Sequence, residues 1–290
     1  MDNIGGGRSM KRSVLVKLGI GILAFLVIIF LTGYFFISSA LKGFKVQVMD
    51  FDQELNLRKP AQVKTEPTIL FLGNSMTYYN DLPTVFMNLS RSGGFAAEVY
   101  ELTEGSYRLE YFADETDEVG AQVYDALKSY DWDYVILQEQ SGISTIGAEE
   151  HMYPAARTLD SMIREANGES VFLMTWAYRE GFSLPLLGLE FKNTREEMQT
   201  QMAQNYRDIA TELDALLAPA GIAFMRCSDN YPEIELWDED GNHPSPAGTY
   251  LAACVLYQVL YDQSPGELGY TADLDRQTAL KLQLVAAGIQ

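Results

Sequence analysis

The chain has 290 residues, with 21 Lys and Arg against 40 Asp and Glu, and a formal net charge of −19 at pH 7. Residues 1–40 are net +3, whereas the remaining 250 residues carry 17 basic and 39 acidic side chains, a net of −22. So acidic a portion should repel nucleic acid and anionic lipid headgroups, and we therefore expect no nucleic-acid partner.

The first predicted element is a membrane helix. Residues 18–37 are 20 consecutive uncharged residues, and at about 1.5 Å per residue such a helix spans the roughly 30 Å hydrocarbon core of a bilayer. The basic residues before it, which by the positive-inside rule keep residues 1–17 cytoplasmic, are Arg8, Lys11, Arg12 and Lys17. A cleaved signal peptide is the alternative, because small residues follow at 38–40, but signal-peptide cores usually have only about 7–15 apolar residues. We predict an uncleaved, single-pass anchor in the cell membrane, with the rest of the chain extracytoplasmic.

After this helix the sequence predicts a linker and one folded domain. Residues 38–66 show no sustained hydrophobic period and are predicted to be a linker or stalk. From Pro67 onward, short apolar runs alternate with amphipathic stretches, which indicates one α/β domain over residues 67–290. The candidate strands are 68–72, 97–102, 134–138, 171–175 and 223–226. The candidate helices are 82–92, 109–129, 149–166, 195–217, 246–261 and 274–287. Strands that are apolar throughout and are separated by helices predict a five-stranded parallel sheet covered on both faces.

Two polar segments carry candidate chemistry. Residues 71–77 (FLGNSMT) follow the first apolar run, and residues 240–246 (DGNHPSP) precede the candidate helix at 246–261. A serine, a histidine and a carboxylate together can make a hydroxyl group nucleophilic. The three-residue spacing from Asp240 to His243 lets the carboxylate bind one ring nitrogen and leaves the other free as a base. Asp238, five residues before the histidine, is a weaker candidate for the same role.

Each of these residues also has a purely structural interpretation. Ser75 could cap a helix, and the histidine segment could be a polar turn. The second histidine, His151, lies beside two glutamates at the start of a candidate helix and is interpreted as a solvated surface residue. The location favours function, because ligands of open parallel sheets bind beyond the carboxyl ends of the strands. The polar segments predicted to follow four of the strands are 73–75, 104–106, 138–141 and 175–176.

The two segments resemble the signature blocks of the SGNH/GDSL hydrolase superfamily. In that family the nucleophile follows the first strand in a Gly-Asp-Ser or Gly-Asn-Ser block, and an Asp-x-x-His block lies near the C-terminus. The corresponding residues here are Gly73-Asn74-Ser75 and Asp240-Gly241-Asn242-His243. The Gly-x-Ser-x-Gly elbow of α/β-hydrolases is absent. The resemblance spans residues 67–261 and implies a flavodoxin-like, three-layer α/β/α sandwich, the SGNH hydrolase fold, here preceded by the membrane helix.

The resemblance also implies an activity. Ser75 would be the nucleophile, His243 the general base and Asp240 the carboxylate that orients the base. The expected function is a serine esterase that cleaves an acyl ester, such as an O-acetyl group on a carbohydrate or cell-envelope polymer, through an acyl-enzyme. Two alternatives remain open: an extracytoplasmic O-acyltransferase that uses the same triad, and a catalytically inactive binding protein with the same fold.

The third implied feature is an oxyanion hole, where the chain departs from the family. The family takes backbone N–H groups from the nucleophile and from a glycine after the second strand, here Ser75 and Gly105. It adds an asparagine side chain after the third strand, in a Gly-x-Asn-Asp block. Residues 138–141 (QEQS) occupy that place. Gln140 or Gln138 would therefore supply the third donor.

Neither a metal ion nor an organic cofactor is expected, because metal-ligand spacing and a phosphate-binding glycine loop are both absent from the sequence. The two cysteines, Cys227 and Cys254, are too few for a disulfide scaffold. Cys254 lies in an apolar helical stretch, where a buried free thiol is the common outcome.

Overall fold

The structure, a computed structural model, describes residues 46–186 and 189–289. The predicted cytoplasmic segment 1–17 and membrane helix 18–37 lie outside the described residues, as does the first part of the predicted linker. In the part of the chain that the structure describes, no helix is long and apolar enough to cross a bilayer. Residues from Gln47 onward form one compact unit.

A parallel sheet forms the centre of this unit. The strands in chain order are β1 (Thr68–Gly73), β2 (Glu98–Thr103), β3 (Tyr134–Leu137), β4 (Glu169–Leu173), β5 (Phe182–Leu186), β6 (Leu189–Asn193) and β7 (Leu216–Ala218). Five of them form the parallel sheet in the order β2-β1-β3-β4-β7, whereas β5 and β6 form a separate antiparallel hairpin. β1 and β3 are almost entirely buried, which explains why their sequences are apolar throughout. The expected five-stranded parallel sheet is therefore confirmed.

The helices lie on both faces of the sheet. In chain order they are α1 (Ser75–Tyr78), α2 (Leu82–Ser92), α3 (Leu109–Phe112), α4 (Glu118–Ser129), α5 (Ser141–Ile146), α6 (Tyr153–Glu165), α7 (Arg195–Glu212), α8 (Ala220–Asn230), α9 (Pro246–Tyr261) and α10 (Arg276–Ala287). The crossover from β1 to β2 runs opposite to the crossovers that lead to β3, β4 and β7. Right-handed connections therefore place α2 on one face and α4, α6 and α7 on the other. Helix α9 contacts α2, α8 and α10, so these helices form one layer.

The fifth strand was predicted in the wrong place. Residues 223–226 lie in α8, and the strand that pairs with β4 is formed by residues 216–218. The predicted helix at 195–217 correspondingly ends at Glu212. Residues 220–227 of α8 are all buried, and the run 220–225 is apolar throughout, so it lacks the periodicity that distinguishes a helix from a buried strand.

The predicted helix at 109–129 is two helices. Residues 113–117 separate the two helices. The Asp117 side chain caps α4, because it accepts hydrogen bonds from the amides of Val119 and Gly120. The helix at 246–261 was predicted correctly, with Ser245 as its N-cap and Pro246 in its first turn. This cap fixes the point where the histidine segment joins α9.

Part of the predicted linker belongs to the compact unit. Phe51 and Leu55 are buried in the main hydrophobic core. The guanidinium of Arg226, on α8, donates hydrogen bonds to the carbonyl oxygens of Phe51 and Gln53. The apolar contacts and these charge-assisted bonds hold residues 47–57 against the domain. Both cysteines are buried and free.

Candidate active site

The nucleophile segment is a sharp turn between β1 and α1. Asn74 caps α1 by accepting a hydrogen bond from the Met76 amide at 3.1 Å, and its Nδ2 donates to the carbonyl of Tyr107 at 2.8 Å. Ser75 is therefore held as the first residue of the helix, and it is half-exposed. Only glycine fits at position 73, because a Cβ there would lie 2.4 Å from Thr77 Oγ1.

The structure brings Ser75, His243 and Asp240 together. His243 Nε2 lies 2.8 Å from Ser75 Oγ, and its Nδ1 lies 2.5 Å from Asp240 Oδ2. The carboxylate fixes the ring with the proton on Nδ1, so Nε2 can accept the serine hydroxyl proton. The serine lies at least 165 residues before the other two residues in the sequence. The hydrogen bonds nevertheless link all three side chains without a break.

Asp240 is held as an anion by its surroundings. Its Oδ1 accepts the backbone amides of Asn242 at 2.8 Å and of His243 at 2.9 Å. Partial burial raises the pKa of Asp240, but the hydrogen bonds from the His243 ring and from the two amides outweigh it, so the pKa is below its ordinary value. The carboxylate therefore stays ionised in neutral and mildly acidic solution.

The loop that carries the histidine is closed on itself. The Asp238 amide donates to the His243 carbonyl at 2.8 Å, and the Gly241 amide donates to the Asp238 carbonyl at 3.0 Å. Gly241 has a φ of 71°, a left-handed conformation that favours glycine. An isolated bridge between Trp237 and Pro244 closes the base of the loop.

Residues after β4 hold this loop against the sheet. The Arg179 amide donates to the Gly241 carbonyl at 2.8 Å, and its guanidinium donates to the carbonyls of Trp237 and Asp238. The indole of Trp176 donates to the Asn242 carbonyl at 3.1 Å. Because four backbone carbonyls of one loop are bound in this way, the loop has a defined position at the carboxyl edge of the sheet.

Sequence reasoning missed the role of Tyr79, and the structure gives Asp238 a different partner from His243. The Tyr79 ring stacks on the His243 ring, with centroids 4.5 Å apart and an interplanar angle of 18°. The Tyr79 hydroxyl donates a hydrogen bond to Asp238 Oδ2. A tyrosine four residues after the nucleophile carries no recognisable sequence signal, because its partner lies about 160 residues further on.

The two backbone donors expected in the oxyanion hole differ in their surroundings. Among the described residues, the Ser75 amide has no acceptor. The Gly105 amide, which follows β2, instead donates to the side chain of its exposed neighbour Glu104 at 3.0 Å. Glu104 would have to swing away before the Gly105 amide could bind a substrate oxygen.

Gln138, one of the two residues expected as the third donor, lies under the nucleophile turn with both of its polar side-chain atoms hydrogen-bonded. It is fully buried, and its Oε1 accepts hydrogen bonds from the Asn74 amide at 2.8 Å and from Thr77 Oγ1 at 2.9 Å. Its Nε2 donates to the Glu139 carbonyl at 2.7 Å. Gln138 therefore joins the ends of β1 and β3 beneath the nucleophile turn.

Gln140 is the glutamine whose amide nitrogen is open. It is half-buried, and its Oε1 accepts the Ile143 amide at 2.9 Å, which caps α5. No described residue accepts a hydrogen bond from its Nε2. The oxygen is thus used for capping and the nitrogen remains available as a donor.

A buried carboxyl group lies between the two glutamines. Glu139 accepts a hydrogen bond from the Gln140 amide at 2.6 Å, and its own amide donates to the Tyr206 hydroxyl at 3.1 Å. Burial raises the pKa of Glu139 to about 8, although the amides of Gln140 and Leu109 oppose the shift. At neutral pH this side chain is therefore largely protonated.

The other histidine is not part of this hydrogen-bonded group. His151 Nδ1 is 2.9 Å from Glu110 Oε2, so its partner is a partly exposed carboxylate. Over the described residues, no group of three or more His, Cys, Asp or Glu side chains could hold a metal ion.

The fold and this site define a class of protein. A serine hydroxyl, an imidazole and a carboxylate are linked in this order at the carboxyl edge of a parallel sheet, which is the arrangement of a serine hydrolase. Comparison with known proteins refines the class. No protein-family model matches the chain, and no curated protein matches it.

Solved structures do match. A protein from Slackia heliotrinireducens that is assigned to the SGNH hydrolases is 32% identical, over 67% of this chain and 99% of that one, with a TM-score of 0.58. The chain belongs to the SGNH hydrolase family, and its enzymatic class is that of the serine ester hydrolases.

Two further structures are similar in fold alone. A DUF4886 family protein from Bacteroides uniformis is 20% identical over 77% of this chain and 93% of its own, with a TM-score of 0.62. A protein from Parabacteroides merdae assigned as a GDSL-like lipase is 16% identical over 70% and 99%, with a TM-score of 0.52.

The buried Glu139 predicts an unusual dependence of stability on pH. Between the ordinary pKa of a glutamate, about 4.3, and about 8, the folded state keeps a proton that the unfolded state releases. The free energy of unfolding should therefore fall as pH rises through this window, by at most about 1.4 kcal/mol per pH unit from this group. Glu139→Gln should remove that slope, as measured by urea unfolding between pH 5 and pH 8.

The matched control is Glu98→Gln, which removes an exposed carboxylate on β2. Its stability should follow the wild-type pH dependence. Parallel pH curves for wild type and Glu139→Gln would contradict the prediction.

Proposed function

We propose that Ser75 is the nucleophile of an esterase, with His243 as its general base and Asp240 as the carboxylate that orients the base. The observation that carries the proposal is the continuous hydrogen-bonded chain from Ser75 Oγ through the imidazole to the Asp240 carboxylate. Its geometry has the base within reach of the proton that it must take.

The reaction follows from this geometry. Ser75 Oγ attacks the carbonyl carbon of the ester while His243 Nε2 takes the hydroxyl proton. The tetrahedral intermediate collapses, the bond to the alcohol oxygen breaks, and the imidazolium gives its proton to the departing alcohol. Water then attacks the acyl-enzyme with His243 again as base, which releases the carboxylic acid and regenerates the serine.

The negative charge of the intermediate needs hydrogen-bond donors. The Ser75 amide lacks an acceptor among the described residues, and Gln140 Nε2 is likewise open, so these two groups are the first donors that we assign. The Gly105 amide is the third, after the Glu104 side chain releases it. The mobility of an exposed glutamate makes that release inexpensive.

For the substrate, we propose an acyl ester on a neutral carbohydrate or a cell-envelope polymer. Ser75 and His243 are both half-exposed, which suits an ester displayed on a bulky polymer. The carboxylates of Asp238 and Asp240 give the loop a negative potential, which disfavours an anionic acyl group. Tyr78, 40% exposed beside the nucleophile, offers a ring face for packing against a sugar.

We also propose that residues 18–37 anchor the enzyme in the cell membrane with the catalytic domain outside. The support is the 20-residue uncharged run and the basic residues before it. The chain should remain in the membrane fraction after alkaline carbonate extraction, and protease added outside intact cells should digest the domain. Release of full activity by carbonate would contradict the anchor.

Ser75→Ala tests the proposed nucleophile. A fluorophosphonate should label the wild-type protein covalently at Ser75 and should not label Ser75→Ala, because the alanine variant lacks the attacking oxygen. Hydrolysis of p-nitrophenyl acetate should fall by at least about 10³-fold. Intact-protein mass spectrometry and an esterase assay measure the two effects.

The control is Ser129→Ala, at the exposed end of α4, which should label and hydrolyse as the wild type does. Labelling that survives in Ser75→Ala would reject Ser75, and a wild type that takes no label would favour an inactive binding protein. With a xylooligosaccharide present, acetyl groups that appear on the sugar and never as acetate would favour an acyltransferase over a hydrolase.

Gln140→Glu tests the proposed oxyanion donor. Glutamate retains an oxygen that can cap α5 but has no N–H, and it adds a negative charge that opposes the oxyanion. The kcat should therefore fall by at least about 10²-fold, the loss expected for one oxyanion donor, while the melting temperature stays close to that of wild type. A kcat within twofold of wild type would remove Gln140 from the oxyanion hole.

A further inference from the structure

Tyr79 connects the segment that carries the serine with the loop that carries the histidine. Its amide donates to the Ser75 carbonyl and ends α1, so its backbone belongs to the nucleophile turn. Its side chain reaches the other segment, where the ring stacks on His243 and the hydroxyl binds Asp238. One residue is thus bound to the nucleophile segment by its backbone and to the base by its side chain.

Asp238 is itself held at a defined distance from His243. Its amide donates to the His243 carbonyl at 2.8 Å, and its Oδ1 accepts the Glu239 amide at 2.8 Å. The hydrogen bond from the Tyr79 hydroxyl is the main cause that lowers the pKa of Asp238 below its ordinary value, so the carboxylate is ionised. The ring of Tyr79 is therefore anchored by a charged acceptor in the same loop as the base.

The imidazole needs such a support. The His243 side chain is 26% exposed, and that of its partner Asp240 is 43% exposed. A ring held along one edge by an exposed carboxylate can still tilt out of the plane in which Nε2 faces the serine hydroxyl. The Tyr79 ring covers one face of the imidazole and opposes that tilt.

The turn that follows Tyr79 also contacts the histidine loop. Asn80 and Asp81 both adopt left-handed conformations, with φ values of 53° and 56°, which Asn and Asp accept more readily than other non-glycine residues. Asn80 Nδ2 donates to the Pro244 carbonyl at 2.8 Å and to Thr249 Oγ1 at 3.1 Å. Two consecutive side chains from one turn, those of Tyr79 and Asn80, therefore hold the histidine loop.

We propose that Tyr79, anchored by Asp238, is a positioning residue for the general base, an inference that rests on the proposed esterase function. The stacked ring holds the imidazole in the plane that directs Nε2 to Ser75 Oγ. When the imidazole takes the serine proton, the face of the tyrosine ring and the nearby Asp238 carboxylate both stabilise the positive charge. Because that charge exists only after proton transfer, the support acts on the chemical step more than on substrate binding.

Three variants separate the parts of this arrangement. Tyr79→Leu removes the stacked ring, Tyr79→Phe keeps the ring and loses the hydroxyl, and Asp238→Asn weakens the acceptor. Glu239→Gln is the matched control, because it removes one negative charge beside Asp238 without touching Tyr79. Each variant of the full chain is assayed with p-nitrophenyl acetate for kcat and KM and with a fluorophosphonate for its labelling rate, alongside its melting temperature.

Tyr79→Leu should lower kcat and the labelling rate about tenfold, with KM within twofold of wild type, because a stacked ring over a cation contributes roughly one factor of ten in rate. Tyr79→Phe should recover most of that loss, and Tyr79→Phe and Asp238→Asn should each cost about threefold. Glu239→Gln should remain within twofold of wild type.

Failure of the proposal differs from failure of the function. A wild-type protein that neither hydrolyses the ester nor takes the label overturns the esterase, and this proposal with it. If the wild type is active and the kcat values of Tyr79→Leu and Asp238→Asn both stay within twofold of it, the positioning role alone is overturned. A change in KM without a fall in kcat has the same consequence, as does a fall in the kcat of Glu239→Gln equal to that of Tyr79→Leu. If Tyr79→Leu fails to fold, Tyr79→Phe and Asp238→Asn decide by the same criteria.

Discussion

The hydrogen bonds of the buried Gln138 side chain are the constraint on which the site depends. Its oxygen accepts from the Asn74 amide and from the Thr77 hydroxyl, which bracket Ser75 in the sequence. Because Gln138 follows β3 and the serine follows β1, this one carboxamide joins the ends of two adjacent strands. Any movement that left this buried carboxamide unpaired would cost from about 1 kcal/mol to several kcal/mol. The turn and the strand ends are therefore held in one arrangement.

The rest of the site is assembled onto that turn from other parts of the chain. Arg179 and Trp176, which follow β4, bind the backbone carbonyls of the histidine loop. Tyr79 and Asn80 reach the same loop from the nucleophile side. The imidazole is therefore held from two directions, which compensates for the partial exposure of His243.

The electrostatics of the site follow from two kinds of carboxyl group. Asp238 and Asp240 lie at the surface and are hydrogen-bonded, so their pKa values are lowered and both remain anions. Glu139 is buried, and its raised pKa keeps it largely protonated at neutral pH beside Gln140. The anions lie beside the His243 ring, whose positive form they favour, and the neutral carboxyl of Glu139 accepts the backbone amide of Gln140.

Local sequence patterns by themselves determined the class of the protein. The apolar runs predicted four of the five strands, and the Gly-Asn-Ser and Asp-x-x-His blocks identified the residues that meet at the sheet edge. The strand at 216–218 was missed, because the apolar run at the start of the neighbouring helix α8 is fully buried and shows no helical periodicity in its sequence. Only the tertiary structure distinguished the buried Gln138 from the half-buried Gln140, whose Nε2 has no acceptor among the described residues, and brought Tyr79 onto His243. Those choices depend on which groups are buried and already bonded, and the partners concerned lie from about 60 to about 165 residues apart in the chain.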